Sequence, residues 1–139
     1  MTDLKFYVLQ KDLGNLFGVT GQAICLQAQK SGIESFKVGN TAAFSPSSAR
    51  QIMTLRGFSY PKQVFSFQML KGGSTKTSCA FNLGIRLNQF GARVLFIDSD
   101  GQGNLTSALG YEVKGDEPVL YHLIEGSASL EKSIISIND

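Results

Sequence analysis

The chain has 139 residues, 42% of them hydrophobic and 17% charged, with a formal net charge of +2. That length allows one ordinary domain or two small ones, and that composition excludes disorder over most of the chain. No apolar run approaches the roughly 20 residues that cross a bilayer, and an opening with Asp3 and Lys5 does not read as a signal peptide. With two cysteines, Cys25 and Cys79, and no metal-ligand spacing, a reduced chain in the cytoplasm is expected. Residues 1–60 carry six basic and three acidic side chains, whereas residues 61–139 carry seven and eight. The first part is therefore modestly basic, a bias that fits nucleic-acid contact.

Phe6–Leu9 is a short apolar run that could be either helix or strand. Asp12 then reads as the cap of a brief helix carrying Leu13, Leu16 and Phe17, closed by Gly18. Thr20 is placed to cap a second helix, Gly21–Lys30. In that helix Ala23, Ile24 and Ala28 can face inward, leaving Gln22, Gln27, Gln29 and Lys30 outward. Glutamine reads adenine edges in a major groove, and lysine meets phosphate or guanine. Ser35–Phe44 alternates as a β-hairpin does, with Gly39-Asn40 at its turn and Lys37 on its first strand. Ser45 and Pro46 sign a helix start, and Ala49, Ile52 and Met53 form its apolar stripe. Helix, turn, helix, hairpin and helix together resemble a small winged helix-turn-helix of the MerR and excisionase type, over residues of about 10 to 58. The resemblance implies DNA contact through Gln22, Gln27, Lys30 and Lys37. The plainer alternative is a helical module that only packs on a neighbour. Tyr60-Pro61-Lys62 reads as a linker, so the expected division is a module over 1–60 and a second domain over 61–139.

The second domain opens on Val64–Leu70, an apolar strand pattern, followed by Lys71-Gly72-Gly73-Ser74-Thr75-Lys76-Thr77-Ser78. Glycine-rich loops between strand and helix cradle phosphates with backbone N–H groups. The general pattern G-x-x-x-x-G-K-[ST] is not met, because Leu70 and Thr75 stand where its glycines belong. A helix follows, with Ala80, Leu83, Gly84 and Leu87 on one face and Phe81 and Phe90 nearby. Cys79 reads as small core packing in that helix. Arg93–Ile97 reads as a buried parallel strand, running into Asp98-Ser99-Asp100-Gly101-Gln102-Gly103-Asn104-Leu105-Thr106-Ser107. Asn104 and Thr106 read as caps of the next helix, and His122 as a structural helix residue.

A lysine at the front of the loop, then GxRVLxID, then DxDxQGNxTS, in order and spacing, resembles the ParA and MinD ATPases with their deviant Walker A motif. The likeness runs over roughly 62 to 135 and includes Tyr121–Gly126 and Ser129–Ile134. It implies an α/β fold: a P-loop NTPase with a parallel sheet and flanking helices, here stopping before the Walker B aspartate. By resemblance, Lys71, Gly72, Gly73, Ser74, Thr75, Lys76, Thr77 and Ser78 hold ATP, with Lys76 on the β- and γ-phosphates. Lys71 would reach the partner's nucleotide in a sandwich homodimer. Thr77 and Asp98 would serve Mg²⁺, and Asp100 would orient the attacking water. Thr75 agrees with the helix-turn-helix-bearing branch of ParA, and Gly101 replaces a usual proline. The implied partners are operator and non-specific DNA and a ParB-type centromere-binding protein, in plasmid or chromosome segregation, with a nucleoid-associated chain and no membrane. The sequence is expected to be the N-terminal portion of such an ATPase, a weak enzyme alone. The rival expectation is a non-catalytic DNA-binding regulator that keeps a relic of the ATPase domain.

Overall fold

The computed structural model describes residues 6–68, 73 and 75–137. They divide into two units, one of residues 6–66 with 82–94 and one of residues 67–81 with 95–137.

The first unit is built on a three-stranded antiparallel sheet, β1 (Val8–Leu9), β2 (Phe36–Val38) and β3 (Thr41–Phe44), in the order β1-β3-β2. Pairing of Val38 with Thr41 leaves Gly39-Asn40 as the hairpin turn, and Gly39 has φ 59° there. The apolar run at the start of the chain thus becomes an edge strand, with Val8 opposite Phe44. Helices α1 (Gln10–Phe17), α2 (Gly21–Lys30) and α3 (Pro46–Leu55) cover the sheet. Their starts follow the local chemistry: Thr20 Oγ1 accepts the Ala23 N–H at 3.2 Å, and Ser45 Oγ accepts the Ser48 N–H at 3.2 Å. Asp12 is not a cap, because α1 begins two residues earlier with Leu9 at the N-cap position. Pairing of Val8 and Leu9 in the sheet ends the strand there, and Asp12 falls in the first helical turn, where its charge still suits the helix dipole.

A Cβ on Gly14 would lie 2.6 Å from the Val19 carbonyl oxygen and 3.0 Å from the Gly21 nitrogen, so α1 meets the backbone at the head of α2. Beneath them Leu13, Ile24, Phe44, Ala49 and Ile52 are wholly buried, with Val8, Ala28, Ile33 and Met53 completing the cluster. Each of the large ones contributes about 1.5–3 kcal/mol of burial. Cys25 lies at the margin of this core, its thiol donating to Gln10 Oε1 at 2.6 Å, and burial pushes its titration up.

The end of a later helix completes this unit. In α4 (Lys76–Gln89) only Gly84 is buried, and Phe90 just beyond it packs on the core of the first unit. The Tyr60 hydroxyl donates to the Phe90 carbonyl at 2.6 Å, and Arg50 Nη1 donates to the Gly91 carbonyl at 2.8 Å. The Arg50 guanidinium also lies 4.6 Å from the Tyr60 ring centroid. Gly91 has φ 87°, and a Cβ there would come 2.5 Å from the Arg50 backbone nitrogen. Tyr60 is therefore an anchor as well as part of the joining stretch.

The second unit contains the first turns of α4, then α5 (Asn104–Ala108), α6 (Leu120–Glu125) and α7 (Leu130–Ser133). Its buried apolar side chains among the described residues are Leu105 and Leu109. Cys79 is exposed rather than packed. His122 Nδ1 accepts the Val119 N–H at 3.1 Å, a side-chain cap at the start of α6.

The chain is α/β, but the expected parallel sheet is not formed among the described residues. Residues 61–68 and 92–100 carry no strand, and Val64 is 96% exposed. In the segment Arg93–Ile97 the exposure alternates, with Val94 and Phe96 half-buried and Leu95 and Ile97 each 62% exposed. The backbone has the period of a strand without the bonds of one. A parallel strand draws its hydrogen bonds from neighbours on both edges, and no described segment pairs with this one. Met69 and Leu70, at the end of the other expected strand, lie outside the described residues.

Candidate nucleotide site and candidate DNA face

Lys71, Gly72 and Ser74 of the glycine-rich loop lie outside the described residues. What is described is the point where the loop becomes helix. Gly73 has φ 71° and Thr75 has φ 59°, so both are left-handed just before α4 begins at Lys76. Left-handed residues of this kind are a component of the backbone nests that bind anions. Thr75 holds a conformation natural to glycine at the position where the general loop pattern has one. Its carbonyl accepts the Cys79 N–H at 2.8 Å, which makes Thr75 the residue that starts α4. Lys76 and Thr77 occupy the first two helical positions and are half-buried, while Ser78 is exposed.

Asp98 and Asp100 are brought together by the loop that follows Ile97. Asp98 Oδ1 accepts the Asp100 N–H at 3.2 Å, and Asp100 Oδ1 accepts the Gln102 N–H at 3.0 Å. The Gly103 N–H closes a turn on the Asp100 carbonyl at 2.9 Å, with Gly101 second in the turn. Gly101 has a φ outside the left-handed region, so the turn is of a kind that a proline would also pre-set. The other oxygen of Asp98 accepts both the N–H and the hydroxyl of Thr106, at 3.0 and 2.9 Å.

Asn104 and Thr106 therefore do not cap α5. They lie inside it, Gly103 at the N-cap position has no side chain to offer, and Asp98 supplies the acceptor from eight residues upstream. Sequence reasoning missed this role of Thr106. The one available signal was the glycine at the cap position, which leaves a helix N–H to be met from elsewhere.

The chemistry required for a nucleoside triphosphate with Mg²⁺ is present in these residues: a lysine and a threonine hydroxyl at a helix start, and a carboxylate with an acceptor position still open on Oδ1. No group of three or more His, Cys, Asp or Glu side chains gathers among the described residues. A Mg²⁺ ion bound with a nucleotide commonly takes most of its ligands from phosphate and water and needs no such group.

On the first unit, Gln22, Gln29 and Lys30 of α2 and Lys37 of β2 are exposed. Gln27 departs from the expected outward face. It is half-buried, and its Oε1 is enclosed with no hydrogen-bond partner among the described residues. The cause is helical spacing, which puts Gln27 one turn after Ile24, a buried residue on the same side of α2.

A family model described as an AAA domain matches residues 62–139. The chain is 44% identical over 77 residues to a virulence plasmid ParA family protein of Chlamydia muridarum, covering 55% of this chain and 28% of that protein. It is 44% identical over 64 residues to a probable plasmid-partitioning protein ParA of Thermus thermophilus, covering 46% and 20%. Against the chromosome-partitioning ATPase Soj of the same organism the identity is 48% over 56 residues, covering 40% and 21%. The chain thus spans between about a fifth and just over a quarter of the length of these relatives. No solved structure gave a significant match.

Proposed function

We propose that this chain, which belongs to the ParA-type partition ATPases through the AAA domain at residues 62–139, binds ATP–Mg²⁺ with that domain and DNA with residues of about 10 to 58. The observation that carries the nucleotide half is the left-handed backbone of Gly73 and Thr75 immediately before a 14-residue helix opening on Lys76 and Thr77. Lys76 would meet the β- and γ-phosphates as a point charge and Thr77 would face the metal. Gly73, Thr75 and Ser78, with Lys71, Gly72 and Ser74, would wrap the phosphates, and Lys71 would reach the nucleotide of a second copy in a sandwich homodimer. Asp98 would hold a water of the Mg²⁺ shell and Asp100 would orient the attacking water. Magnesium neutralises charge as it develops on the transferring phosphoryl group.

The DNA half rests on the helix pair joined at Gly18, the hairpin and α3, an arrangement that suits a winged helix-turn-helix and a division near residue 60. Gln22 would read a base edge and Lys30 and Lys37 would contact phosphate, while Gln27, whose side-chain carbonyl oxygen is enclosed, would take no direct part. A ParB-type protein, non-specific DNA and a cytoplasmic, nucleoid-associated location follow from partition as the role of the relatives. Among the described residues no helix is long and apolar enough to cross a membrane.

The test compares melting with and without ATPγS–Mg²⁺, and ATP turnover, for the chain and for Lys76→Ala and Asp100→Ala. The reading requires a nucleotide-dependent rise in melting temperature that Lys76→Ala abolishes, and turnover that Asp100→Ala abolishes while binding survives. On DNA, Lys37→Ala should weaken all sequences about equally and lower the salt slope by about 1, whereas Gln22→Ala should relax sequence preference. If nucleotide has no effect while operator-length DNA is still bound, the chain is a non-catalytic regulator. The exposure of Val64, Leu95 and Ile97 favours that second reading, because a P-loop is ordinarily held by the strand that feeds it.

A further inference from the structure

The carboxylate that the ATP–Mg²⁺ reading assigns to the metal's water shell has most of its acceptor capacity already used. An ionised carboxylate offers about four lone-pair sites. Three of those on Asp98 are filled: two on Oδ2 by the N–H and hydroxyl of Thr106 at 3.0 and 2.9 Å, and one on Oδ1 by the Asp100 N–H at 3.2 Å. Both Oδ2 donors come from one residue, and that residue is itself fixed. Thr106 is the third residue of α5, and a β-branched side chain in a helix has few rotamers. Its hydroxyl does not turn back on the preceding helical turn, as threonine in a helix often does, but reaches outward to Asp98.

We propose that Thr106 is a positioning residue for Asp98. By saturating Oδ2 it closes bidentate chelation, and it leaves one acceptor direction, on Oδ1, for a water of a nucleotide-bound Mg²⁺. The inference rests on the ATP–Mg²⁺ reading and adds to it a residue and a mode of metal contact. Thr106 does not touch the metal or the reacting atoms. It acts through the carboxylate it holds, as outer-shell partners of metal ligands do.

The experiment titrates Mg²⁺ at fixed ATPγS on the full chain and follows melting by circular dichroism, so that no turnover is needed. Thr106→Val keeps the N–H and the branched shape but deletes the hydroxyl; Thr106→Ser keeps the hydroxyl. The Mg²⁺ concentration for half the melting shift should rise about 10-fold in Thr106→Val, while Thr106→Ser stays close to the parent chain. A role confined to α5 would lower the melting temperature without nucleotide and leave the Mg²⁺ midpoint in place. An unmoved midpoint in Thr106→Val, or a Thr106→Ser variant as impaired as the valine, overturns the proposal alone. A parent chain with no Mg²⁺-dependent shift overturns the nucleotide reading and this inference together. Should Thr106→Val melt without cooperativity, Mg²⁺-dependent fluorescence of an N-methylanthraniloyl ATP on Thr106→Ala gives the same midpoint: a rise of about 10-fold supports the proposal, and an unmoved value overturns it.

Discussion

Thr75 shows how far one side chain can stand from its local preference. A β-branched residue at φ 59° sits where its Cβ crowds the backbone, at a cost of roughly 1–2 kcal/mol. The strain falls on the residue whose carbonyl starts α4, next to the lysine proposed for the phosphates. Replacing it by glycine relieves that strain but adds freedom to the unfolded chain, which returns about 0.4–1 kcal/mol of the gain. Thr75→Gly should therefore stabilise the chain by about 0.5–1 kcal/mol, measured as a higher urea midpoint at an unchanged slope. A lower midpoint would mean that the threonine side chain contributes more than its backbone costs.

At the scale of elements, the end of α4 is fastened by Tyr60, Arg50 and Gly91. Two left-handed glycines separate conformation from contact. Gly57 has φ 79° with open space around its missing Cβ, whereas Gly91 has φ 87° with the Arg50 backbone 2.5 Å away. Gly57→Ala should cost about 1 kcal/mol, the penalty of the backbone conformation alone. Gly91→Ala should cost about 2 kcal/mol more, because α3 or the helix end must also shift. Circular dichroism through a urea titration reads both, and equal losses would mean that the helix end is not held against α3. These elements also mark what the sequence disclosed. Helices α2 and α3 and the hairpin were legible because Thr20, Ser45-Pro46 and Gly39-Asn40 act on neighbours within three residues. The Tyr60–Phe90 and Arg50–Gly91 bonds join residues 30 and 41 apart, and no local pattern announces them. Arg93–Ile97 misled for the opposite reason: its unbroken apolar run is that of a buried parallel strand, but a strand exists only when another segment supplies its bonds. In the candidate site, the lysine and the carboxylates were legible by pattern, while the bond from Asp98 to Thr106, eight residues on, was not.

Across the whole molecule, order is unevenly distributed. Nine buried side chains make one cluster in the first unit, whereas the second unit buries Leu105 and Leu109 among its described residues. Local opening follows the density of buried apolar contacts. Hydrogen exchange should thus find the amides of Ile24, Ala28 and Phe44 the slowest and those of Val94–Ile97 near the rate of an unstructured peptide. Slow exchange in the latter segment would show that it is paired in solution. The extended run has one further consequence. Val94, Leu95, Phe96 and Ile97 are the kind of residues from which fibrils nucleate, and among the described residues no strand pairs with them. The segment is bracketed by Arg93 and Asp98, one charge of each sign at its two ends. Stacking identical copies in register would pile like charges on both flanks, and that repulsion serves as a gatekeeper against self-assembly. Asp98 would thus have a task that involves neither nucleotide nor helix: it would help keep a half-exposed hydrophobic run from finding its own copies.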